Sequence, residues 1–185
     1  MMNKTTRVAH RSSIHLFLAA VGMTSGIAGL FLPFTYDYSP VSALDAELWR
    51  LAAPFFLCIP IAGVSIRLAA TGSLARPEMW IAYIASTAMA LVTLSIYGEV
   101  DSWPRGLQEW LAFGVPPITL LVGLRAVIKK ARLASLTGMS AVMAMQAAYL
   151  SNSLLCLIGF LGNWQIGAYF ALITSAAYLV QITMP

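Results

Sequence analysis

The stretch LASLTGMSAVMAMQAAYLSNSLLCLIGFLGNWQIGAYFALITSAAYLVQITMP, residues 133–185, contains no Asp, Glu, Lys, Arg or His. One bilayer crossing takes about 20 apolar residues, so this stretch is too long for one crossing and suits two. Gly162-Asn163-Trp164 supplies the break: a polar, turn-prone tripeptide with an aromatic that favours the membrane interface. The pattern is that of a transmembrane helical hairpin with a very short connection.

The rest of the chain shares this character. Hydrophobic residues make up 59% of it and charged residues 10%, with a mean hydropathy of +0.79. Soluble domains carry roughly 25% charged residues, and 185 residues cannot hide this much apolar surface in one core. The sequence therefore predicts an all-α integral membrane protein, a single membrane domain over 1–185. Its spans are expected at about 14–34, 48–66, 79–97, 107–128, 139–161 and 165–183.

The first apolar run exceeds the 7–15 residues of a signal-peptide core, and the small-residue site at Val41-Ser42-Ala43 lies far downstream. It is expected to remain as a span. Gly22, Gly26 and Gly29 recur on one face of it, and small residues let helices approach closely. That face is expected to pack on a helix of this chain or of a partner. In the second span Pro54 suits a first turn, whereas Pro60 predicts a kink. Gly114-Val115-Pro116-Pro117 predicts a break in the fourth.

Charge distribution orients the bundle. Lys4, Arg7, Arg11, Arg67, Arg76, Arg125, Lys129, Lys130 and Arg132 fall on one side, nine of the eleven basic residues. The other side holds Asp37, Asp45, Glu47, Glu99, Asp101 and Glu109, six of the seven acids. The excess of Lys and Arg marks the cytoplasmic side, so both termini are expected there, in the plasma or inner membrane. The net charge of +4 is carried by these loops and suggests no nucleic-acid partner.

Catalytic constellations are missing. His10 and His15 are unaccompanied by Cys, Asp or Glu, so no metal site is expected. Gly138-Met139-Ser140 has the Gly-x-Ser pattern of a serine nucleophile, but no histidine follows His15 to serve as its base. Phosphate loops and dinucleotide fingerprints are absent, and no cofactor is expected. No span carries an ionisable residue near its centre, which argues against a proton-coupled pump. Cys58 and Cys156 read as small apolar packing residues. Local pairs Glu47–Arg50 and Arg105–Glu109 suit helical spacing, and Asp37, Glu99 and Asp101 form a solvated acidic face.

Neutral polarity remains in the last hairpin. Gln146, Tyr149, Asn152, Thr174 and Tyr178 form a candidate cluster, either interhelical hydrogen-bonding residues or the lining of a ligand site. Pairing the two helices about the tripeptide sets Asn152 opposite Thr174 and Gln146 opposite Tyr178. The function this predicts is that of a non-enzymatic subunit or accessory factor of a membrane complex. Its partners would be the lipid bilayer and another membrane protein, or a second copy, met through small-residue faces. The alternative is a binder or carrier of a small neutral or lipid-like molecule within the bundle.

Overall fold

The computed structural model describes residues 4–45, 48–71, 73–96, 106–130 and 138–184. It is helical throughout, with no strand among the described residues. The helices are α1 (Lys4–Phe31), α2 (Trp49–Ala52), α3 (Cys58–Thr71), α4 (Arg76–Ser95), α5 (Leu107–Lys130), α6 (Gly138–Gly159) and α7 (Ile166–Thr183). A 3-10 turn, Ala53–Leu57, joins α2 to α3, and the three pieces together make one crossing-length unit. Among the described residues six such units are long and apolar enough to cross a membrane, and they lie within about three residues of the expected spans. The Glu47–Arg50 and Arg105–Glu109 pairs and the acids Glu99 and Asp101 lie outside the described residues.

The architecture is a hub and a rim. Helix α6 packs against α3, α4, α5 and α7, and 83% of its span is buried, against 17% for α4 and 22% for α5. Helix α1 lies antiparallel on α7 and also touches α3. The beginning of α1 and the end of α7 therefore share one end of the bundle. The start of α6 is at that end too, where Gly138 nestles against Leu68 and Leu74.

The opposite end is tied by backbone. Gly167 N–H donates to the Pro33 carbonyl at 2.8 Å, and Gln165 N–H to the Phe34 carbonyl at 3.0 Å. Carbonyls beyond the end of α1 thus satisfy donors at the start of α7 that have no partner within their own helix. Gly167 must be glycine for this approach, because a Cβ there would come within 2.7 Å of the Pro33 oxygen. The α6–α7 turn uses Gly162 at φ +91°, and the Trp164 indole N–H closes it on the Leu157 carbonyl at 2.8 Å.

Pro54 lies at the start of a 3-10 turn, as a first-turn proline should, and the later prolines act differently from the expectation. The break in the second crossing-length unit lies at the 3-10 turn containing Pro54, and α3 runs through Pro60. Because α3 begins at Cys58, Pro60 sits in its first turn, where a missing N–H costs nothing. Likewise Pro116 and Pro117 do not interrupt α5. Hydroxyls of Thr119 and Ser151 donate to the neighbouring Val115 and Pro116 carbonyls at 2.9 and 3.2 Å. These bonds lie one turn beyond Ala112 and Phe113, whose carbonyls are the ones four residues before the two prolines.

Candidate functional site

All five residues of the candidate cluster are buried in the hub. The register differs from the expected one. Gln146 Nε2 donates to Gln181 Oε1 at 2.5 Å, nearly one turn further along α7 than Tyr178. Gln181 Nε2 then donates to the His15 carbonyl of α1 at 3.1 Å. Three helices are joined through two amides. Near mid-bundle, the Ser175 hydroxyl donates to Ser153 at 2.7 Å.

Asn152 does not pair with Thr174. Its Nδ2 donates to the Leu51 carbonyl at 3.1 Å, at the break between α2 and α3. Leu51 lies three residues before Pro54, so the i→i+3 donor of the following 3-10 turn is the one proline lacks. An amide from the hub serves a carbonyl that proline left without that partner.

Thr174 instead faces α1. Its hydroxyl lies 2.7 Å from Ser25 Oγ, which is 2.6 Å from the Val21 carbonyl. Tyr149 adds a hydrogen bond to Thr174 from α6. Each hydroxyl has one proton, and the Ser25 and Thr174 protons also have carbonyls of their own helices in reach, Val21 at 2.6 Å and Phe170 at 2.9 Å. Ser25 was not among the expected residues. The signal was present, since it sits three residues after Gly22 and four before Gly29, on the glycine face.

The three glycines divide between two neighbours within this chain. Gly22 makes room for the Tyr178 ring, Gly26 lies against Cys58 of α3, and Gly29 faces Phe170 and the α7 backbone. An aromatic ladder crosses the same core. Phe34 to Phe55 is 5.4 Å between centroids, Phe55 to Tyr149 5.7 Å and Tyr149 to Tyr178 5.4 Å, the last two edge to face. That geometry sets a positive ring edge on a negative face. Gly123 of α5 leaves room in the same way for Ala147 of α6, a contact the sequence reading missed.

Three atoms of the cluster have no protein partner: Gln146 Oε1, Asn152 Oδ1 and the Tyr178 hydroxyl. Each such buried group costs about 1–3 kcal/mol. No group of three or more His, Cys, Asp or Glu among the described residues is arranged to hold a metal.

A second feature lies outside the cluster. Helices α3 and α4 both pack on α6 rather than on one another, leaving a groove of about 350 Å³. Residues 60, 63, 64 and 67 of α3 and 78, 81, 82 and 85 of α4 form its walls, each set on one helix face, with Met145 of α6 below. Arg67 pairs with Glu78 across its mouth. Glu78 also accepts the Ala75 N–H at 3.0 Å, which fixes the start of α4 and the position of the guanidinium together. The chain matches no protein-family model, no curated protein and no solved structure, so its function must be argued from these residues.

Proposed function

We propose that this chain is an integral protein of the plasma or inner membrane, with six crossings and both termini in the cytoplasm. It acts without catalysis, through helix–helix association, as a subunit or accessory factor of a membrane complex. One observation carries this reading: the polar side chains of the hub bond to neighbouring helices, while the rim turns outward with apolar residues. Ile81, Ile84 and Leu91 of α4 and Ile118, Leu121 and Leu124 of α5 are exposed, a surface suited to lipid or to another helix.

Topology is tested by cysteine labelling with Cys58 and Cys156 replaced by alanine. Ser39→Cys and Asn163→Cys should label from outside the cell and Gly72→Cys only from the cytoplasm. External labelling at position 72 overturns the orientation. The accessory role is tested by extraction in mild detergent at native expression. A second polypeptide in fixed ratio is the expected result, and a homogeneous single chain retaining its cellular effect overturns it.

A second reading, a binder or carrier of a lipid-like molecule, is favoured by the groove between α3 and α4.

A further inference from the structure

We infer that the α3–α4 groove is a binding site for one anionic phospholipid, its phosphate held by Arg67 and the first part of one acyl chain lying between the helices. The inference rests on residence in a membrane but not on the accessory role.

Shape comes first. The walls are cut back by small residues, Gly63 on α3 and Ala82 and Ala85 on α4, while Val64 and Ile81 keep them apolar. A Cβ built at Gly63 meets nothing within 4 Å, so the space beside it is open. From Pro60 to Arg67 the α3 wall rises about 10 Å at 1.5 Å per residue, long enough for the upper part of an acyl chain. The volume of about 350 Å³ lies within the range of small-molecule sites.

Charge fixes which lipid. The mouth is at the end of the bundle that carries Arg67, Arg76 and Arg125, with Glu78 the acid beside them. Arg67 has five N–H donors in a rigid fork and is 57% exposed, so its bond to Glu78 leaves donors for a phosphate. Glu78 holds that fork over the groove instead of letting it swing into water. Basic residues between transmembrane helices on the cytoplasmic side attract anionic head groups. A zwitterionic lipid fills the same walls without the same attraction.

The test uses the full chain reconstituted in bilayer discs of equal phosphatidylglycerol and phosphatidylcholine, then released into detergent for native mass spectrometry. Wild type should retain one phosphatidylglycerol, favoured about tenfold over phosphatidylcholine. Gly63→Leu should lose the bound lipid. A Cβ at this position meets nothing within 4 Å and leucine is the better helix former, so the melting temperature should equal or exceed wild type. Arg67→Gln should keep a lipid and lose the preference. Equal retention of the two lipids by wild type, or unchanged retention in Gly63→Leu, overturns the inference. So does a polypeptide cross-linking to position 63 in place of lipid. Release of the chain by alkaline carbonate would overturn the membrane reading itself, whereas a carbonate-resistant chain without lipid preference overturns only the groove.

Discussion

The side-chain amide of Asn152 reaches across from α6 to the Leu51 carbonyl, 3.1 Å away, at the point where proline chemistry breaks the second crossing. Replacing it with leucine leaves that carbonyl without the hub's amide donor. Interhelical hydrogen bonds in membranes average about 0.6 kcal/mol and reach about 1.7. Asn152→Leu should therefore destabilise by about 1 kcal/mol in a reversible detergent unfolding assay. Combined with Thr174→Val the losses should add, because Thr174 belongs to the separate Ser25 contact.

Gln146 and Gln181 should behave oppositely. They share one bond, so Gln146→Leu and Gln181→Leu together should cost less than the two single losses added, by about 0.6–1.7 kcal/mol. The same unfolding assay reads this, and strict additivity would show that the amides do not meet.

Gly22 and Tyr178 are predicted to couple by size. A methyl at Gly22 collides with the Tyr178 ring, so Gly22→Ala should destabilise by about 1–3 kcal/mol. Tyr178→Leu in the same chain should recover part of that loss, whereas Tyr178→Leu alone should destabilise through the lost ring contact with Tyr149. Thermal melting of the four proteins in one detergent checks the cycle.

Cys58 is fully buried beside Gly26. Arginine at that depth faces an insertion cost near +2.5 to +3.5 kcal/mol and a steric clash as well. Cys58→Arg should fall to a small fraction of wild-type membrane levels in quantitative blots. Normal levels would mean that water reaches this point of the bundle.

Much of the fold was legible because a crossing is a long signal. Runs of about 20 apolar residues separated by charged loops located six helices to within about three residues. The glycine face of α1 was legible for the same kind of reason, since helical period places Gly22, Gly26 and Gly29 together. Which neighbour each would meet was not, because Tyr178, Cys58 and Phe170 belong to distant segments. Pairing within the last hairpin failed by nearly a turn. The helix ends, Gly159 and Ile166, pair about the same midpoint as the tripeptide, so the difference lies in which side chains face one another: Tyr178 turns to Gly22 and Tyr149 and leaves Gln146 to Gln181. Pro54 was read correctly as a first-turn residue, whereas Pro60 was misread because a proline's effect depends on where a helix starts, and it is the third residue of α3. The groove was invisible in sequence, since it arises where α3 and α4 choose α6 over each other.

Chain order gives the central place of α6 a consequence in time. Segments emerge from the ribosome N-terminal first, so α1 to α5 are made before the helix that α3, α4 and α5 share. Until it arrives, α4, whose buried residues are Ala82, Ser86 and Thr93, lacks the helix that makes most of its contacts. The newcomer brings Gln146 and Asn152 to the centre of the bundle, and Gln146 gains its partner only when α7 follows through the turn at Gly162. Biogenesis is thus a late-closing event, in which a waiting crescent of helices is locked by the last hairpin to be translated. A ribosome paused between Lys130 and Gly138 would hold five segments without the helix on which three of them pack.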